Sequence, residues 1–140
     1  MKEIKAYIRT TKVENVISGL HEIGVDNMTV IDVMALGRGM VDPKHYKYSI
    51  ECVEKYSRIA KIEIVCADEH AQEIVDVIRS RAYAGERGDG LIIVSNVDQT
   101  IKIRTGEVGD KFLQPRKKYE YLDKINARDY FSESSSREHI

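Results

Sequence analysis

At 140 residues the chain fits one domain and leaves little room for a second. Hydrophobic residues make up 42% and charged residues 32%, enough apolar material for a core and more charge than the roughly 25% of an average soluble protein. Lys and Arg number 22 against 23 for Asp and Glu, a net charge of -1. That balance excludes a globally basic nucleic-acid binder and an acidic disordered tail, while a local basic cluster remains compatible with it. Cys52 and Cys66 are too few for a disulfide framework or a four-thiolate zinc site. No apolar run approaches the roughly 18 residues of a membrane span, and the first residues lack the apolar block of a secretion signal. The expectation is a soluble, cytoplasmic protein.

Ile4, Ala6 and Ile8 alternate with Lys5, Tyr7 and Arg9, which predicts a half-buried strand over residues 2 to 9. Thr11 and Glu14 have capping-box spacing, and Val13, Val16, Ile17 and Leu20 share one side of the helix that follows, ending near Gly24. Met28 to Leu36 is apolar and β-branched on both sides and predicts a central strand covered on both faces. Residues 37 to 57 have no period and contain Pro43, and a loop that long is more often functional than accidental. Ile59 to Cys66 predicts a third strand. Asp68 is then placed to cap a second helix carrying Ala71, Ile74, Val75, Ile78 and Ala82 on one face. Strands over 91 to 94 and over Thr100 to Arg104 complete the series.

The order strand, helix, strand, long loop, strand, helix, strand predicts an α+β, ferredoxin-like βαββαβ sandwich, with an antiparallel sheet and both helices on one face. Apolar positions on the other face predict self-association. The domain is placed at residues 1 to 113. Residues 114 to 140 form an extension that begins Pro115-Arg-Lys-Lys118 and ends serine-rich, read as a short helix over 117 to 130 followed by disordered chain.

Gly85-Glu-Arg-Gly-Asp-Gly90 places three glycines in six residues, so backbone N-H groups can approach an anion with Arg87 beside them. The segment leaves a helix and enters a strand, so it is not a Walker loop, and taken alone a helix C-cap followed by a tight turn is the plainer explanation. Lys102 and Arg104 are two apart in the expected last strand, on one face within about 7 Å. A bound polyanion would relieve their repulsion, and Arg38 would join from across the sheet or from a neighbouring subunit. Positive charge that protects a strand edge explains an isolated pair at least as well, and the joint occurrence of the three segments favours the anion site. His45 with Asp42 and Cys52 fits no standard zinc spacing. No serine or cysteine has a base fixed beside it, so no enzyme activity is read.

Five ordered segments then resemble the PII signal-transduction family over roughly residues 1 to 110: Ile-Gly-Val-Asp-Asn-Met-Thr29, Leu-Gly-Arg38, Lys-Ile-Glu-Ile-Val65, Gly-Glu-Arg-Gly-Asp-Gly90 and Ile-Arg-Thr-Gly-Glu107. The resemblance implies a homotrimer with adenine nucleotides (ATP, ADP or AMP, with Mg undecided) in the clefts between subunits. It also implies a T-loop at 37 to 57 that regulates a transporter or metabolic enzyme, with B- and C-loops at 83 to 90 and 102 to 109. By that resemblance Thr29, Gly37, Arg38 and Val65 hold base and sugar. Gly88, Asp89 and Gly90 cradle phosphate next to Arg87, and Lys102 and Arg104 reach over from another subunit.

The chain departs from the family pattern at Gly39 for a Gln, Ile59 for a Lys, Leu91 for a Lys and Lys102 for an Arg. Gly39 and Ile59 predict loss of 2-oxoglutarate sensing by the usual route, and Leu91 predicts a weaker hold on a triphosphate. An alternative of the same architecture is a metal- or small-molecule-binding trimer, with Asp42, His45 and Cys52 of the loop as ligands. A slow ATP-hydrolysing enzyme ranks last. No nucleic-acid partner is expected.

Overall fold

The structure is a computed structural model that describes residues 1–35 and 58–115. Its strands are β1 (Lys2–Arg9), β2 (Thr29–Val33), β3 (Ile59–Cys66) and β4 (Leu91–Asn96), with helices α1 (Val13–Glu22) and α2 (Ala71–Ala82). The sheet order is β2-β3-β1-β4, every neighbouring pair antiparallel. This is the ferredoxin-like α+β arrangement expected from the sequence.

The core follows from the two periods. Ile4, Ala6 and Ile8 pair with Ile64, Ile62 and Ala60, and all six are buried. Val16 and Leu20 of α1 and Ile74 and Ile78 of α2 close over them, so both helices lie on one side of the sheet. The helices approach closely at Gly19, where a Cβ would meet Val77 Cγ1 at 2.9 Å. Cys66 belongs to this core at 3% exposure, and burial pushes its thiol pKa up, as befits a small hydrophobe.

The opposite face carries the odd-numbered residues of β1 and β3. Lys61 and Glu63 pair there at 2.5 Å and Lys5 and Glu3 at 3.4 Å, with the Lys61 ammonium 5.9 Å from the centre of the Tyr7 ring. Around this charged strip the sheet edges expose Ile31, Leu91 and Ile93.

Four local expectations are corrected. The second strand is short, lies at an edge of the sheet and is largely exposed, because apolar periodicity reports how greasy a strand is and not what covers it. Thr100 to Arg104 is not a strand: Ile101 bridges Val108, and the Gly106 amide donates to the Lys102 carbonyl at 2.7 Å, closing a turn. Neither helix is capped as its sequence suggests. Thr10–Lys12 and Asp68–His70 form 3-10 turns without a side-chain cap, and the Asp68 carboxylate instead pairs with the N-terminal ammonium at 2.9 Å. The loop at 37 to 57 and the helix expected at 117 to 130 lie outside the described residues. Among the described residues no helix is long and apolar enough to cross a membrane.

Candidate functional site

The glycine-rich turn leaves α2 and enters β4 with positive φ at Gly85, Gly88 and Gly90. Asp89 organises it. Its Oδ2 accepts the Ala84 amide at 3.1 Å and the Gly85 amide at 2.8 Å, and its Oδ1 lies 3.4 Å from Arg9 Nε. Desolvation pushes the Asp89 carboxyl upward, but the Ala84 and Gly85 amides, the Arg9 guanidinium and the Glu86 amide together hold it below the usual carboxylate range. Arg9 Nη2 also donates to the Arg87 carbonyl at 2.6 Å. The turn is thus stitched to the last residue of β1, and two of its amides are spent on its own carboxylate. The Arg87 side chain is exposed, and among the described residues no carboxylate pairs with it.

Lys102 lies elsewhere. It lines a cleft of about 270 Å³ with Asn27, Val65, Cys66, Phe112 and Pro115, and its ammonium stands 5.7 Å from the centre of the Phe112 ring. This region belongs to the start of β1, because Cys66 pairs with Lys2 and the Val97 amide donates to the Met1 carbonyl at 3.1 Å. Thr29 opens β2 two residues after Asn27, and Arg104 sits in the turn that follows Lys102.

Of the ten residues singled out in the sequence, eight are described, and they do not form one cluster. Arg87, Gly88, Asp89 and Gly90 cluster at the Arg9 end of β1. Val65 and Lys102 share the cleft at the Lys2 end, Arg104 follows Lys102 by two residues, and Thr29 pairs with Glu63, whose partner on β1 is Lys5 in mid-strand. The seven residue steps from Lys2 to Arg9 separate these ends by about 23 Å. Within one chain the two groups therefore lie at opposite ends of β1. Gly37 and Arg38 lie outside the described residues, as do Asp42, His45 and Cys52 of the alternative metal set. Among the described residues no three His, Cys, Asp or Glu side chains are grouped to hold a metal ion.

Two participants were missed in the sequence. Arg9 reads there as the polar end of an alternating strand, and nothing in local spacing ties it to Arg87 and Asp89. Phe112 lies beyond the expected final strand, among the last residues assigned to the domain, and an aromatic ten residues after a lysine is too weak a signal to pair them.

Comparison with known proteins agrees with this architecture. The family model described as nitrogen regulatory protein P-II matches residues 1–107. A nitrogen regulatory protein P-II of Rhizobium meliloti is 39% identical over 109 residues, covering 78% of this chain and 96% of that protein. Nitrogen regulatory protein P-II 2 of Methanothermobacter thermautotrophicus is 41% identical over 114 residues, covering 79% and 96%. Nitrogen regulatory protein GlnK of Escherichia coli is 34% identical over 116 residues, covering 81% and 100%.

Proposed function

The chain belongs to the nitrogen regulatory protein P-II family, and we propose that it is a signal-transduction regulator which binds an adenine nucleotide between subunits of a homotrimer and thereby controls a partner protein through its long loop. The observation that supports this most directly is the separation of the two groups of site residues. Arg87 and the glycine turn sit at one end of the sheet and Lys102 at the other, with Arg104 two residues after it in the chain. A ligand gripped by both must therefore lie between two copies of the chain. The exposed Ile31, Leu91 and Ile93 at the sheet edges supply apolar surface for such an assembly.

The chemistry fits a phosphate. Positive-φ glycines keep Cβ atoms away from the turn amides, and Arg87 is exposed beside them. Leu91, 62% exposed directly after Gly90, offers no cation, so ADP or AMP binds about as well as ATP. The regulatory lever is the connection of the loop to the Arg9 end of the sheet, where Arg58 O accepts the Thr10 amide at 3.1 Å. Ligand-dependent ordering of the loop then selects which partner surface it fits. The target is a transporter or metabolic enzyme, and the regulator itself is not an enzyme.

Titration calorimetry with ATP, ADP and AMP, each with and without Mg and 2-oxoglutarate, tests the reading. The expected result is nucleotide binding of similar strength for ADP and ATP, unaffected by 2-oxoglutarate and weakened at least tenfold in Arg104→Ala. Tight Mg-ATP binding that 2-oxoglutarate enhances would overturn the predicted selectivity, and unchanged binding in Arg104→Ala would remove the proposed cleft.

A further inference from the structure

The segment after the Ile101–Val108 bridge is fastened back onto the body of the domain. Thr100 Oγ1 donates to the Gly109 carbonyl at 2.6 Å, the Gly109 amide donates to the Thr100 carbonyl at 3.3 Å, and the Leu113 amide donates to the Asp110 carbonyl at 2.9 Å. At its far end Gln114 Oε1 is hydrogen-bonded to His70 Nε2 at 3.0 Å. Between these points Phe112 meets the Lys102 ammonium, and Phe112 to Pro115 form one wall of the cleft that Lys102 lines. Among the described residues the Phe112 ring is the partner of that ammonium.

We infer that Phe112 and a ligand phosphate compete for Lys102, so that nucleotide binding releases the C-terminal segment 111 to 115 from the body of the domain. The inference rests on the proposed nucleotide reading and adds a second output to it, separate from the long loop. The physical reason is the difference between the two partners. A ring offers the ammonium only its quadrupole, whereas a phosphate oxygen offers full charge and a short hydrogen bond. Once Lys102 turns to the phosphate, Phe112 loses that contact, and the segment, still held by the Gly109 and Gln114 bonds and by the half-buried Phe112, Leu113 and Pro115, opens more often. Coupling of this kind is reciprocal, so anything that holds Phe112 on Lys102 weakens the ligand by the same factor. That factor is about two- to fivefold, the size of one exposed cation–π contact.

The test is limited trypsin digestion of the full chain, with cleavage at the Lys111–Phe112 bond followed by mass spectrometry, alongside calorimetry with ADP. Saturating ADP is expected to speed that cleavage about two- to fivefold. Phe112→Ala is expected to be cut rapidly without ADP, to lose its response to ADP, and to bind ADP about two- to fivefold more tightly, with Phe112→Tyr restoring the original behaviour. Gln114→Ala, which frees the other end of the segment and leaves Lys102 alone, should be cut faster yet still respond to ADP. Cleavage that ADP slows or leaves unchanged while calorimetry shows it bound overturns the coupling, as does weaker ADP binding by Phe112→Ala. If Phe112→Ala does not fold, a Gln114→Ala variant without an ADP response overturns it equally. An unmodified chain that binds no ADP refutes the nucleotide reading itself, and the coupling with it.

Discussion

A Cβ on Gly90 would stand 1.7 Å from the Tyr7 carbonyl oxygen, and Gly90 itself adopts φ +107°. Backbone therefore meets backbone where the glycine turn enters β4, and neither partner is a flexible side-chain tip that can yield. Gly90→Ala is expected to destabilise the domain by about 4 kcal/mol or more, through strain at a positive φ and a clash no rotamer relieves. Urea denaturation followed by circular dichroism measures this, and a midpoint close to that of the original chain would show that the turn moves aside.

Asp89 gives an acid-limb prediction. Its folded-state pKa is lowered, so its stabilising contribution is present above the unfolded-state value of about 3.9 and is lost as pH falls through the lower folded value. Asp89→Asn should flatten the fall in unfolding free energy below about pH 4 and leave its slope at pH 6 to 8 unchanged. Chemical denaturation at a series of pH values compares the two curves, and identical acid limbs would show that another carboxylate governs them.

Burial separates two residues of α2 that look alike in importance. Ile78 is 0% exposed in the core, and Ile78→Ala should cost about 2–5 kcal/mol from lost transfer energy and the cavity left behind. Arg81 bridges α1 and α2 through Asn15 Oδ1 at 2.9 Å and Glu22 Oε2 at 2.9 Å, but both contacts are exposed. Arg81→Ala should therefore cost only about 1 kcal/mol or less. Thermal unfolding of the two variants ranks them.

Assembly is tested at Ile31, which shares the open sheet face with Lys61, its register partner. Ile31→Glu places a carboxylate where a neighbouring copy must desolvate it. Size-exclusion chromatography with light scattering should show the proposed trimer for the unmodified chain and monomer for the variant, with nucleotide binding lost in parallel. A monomer that still binds nucleotide would place the whole site within one chain.

Local periodicity located β1, α1, β3 and α2 in their order along the chain. Alternation in β1 and β3 and the helical stripes of α1 and α2 are local signals, and each of these elements lies where its period predicts. The five ordered motifs likewise determined the family, because their spacing survives without knowledge of contacts. The features that periodicity misses depend on partners distant in the chain. Asp68 looks like a helix cap until the N-terminal ammonium is seen beside it. Lys102 and Arg104 read as an alternating strand until the turn closed by Gly106 displaces it. Arg9 reaches its partners across 78 and 80 residues of sequence. The near-neutral net charge of -1 concealed all of this: net charge sums over the chain, whereas an anion site depends on which cations the fold leaves exposed and at which end of the sheet.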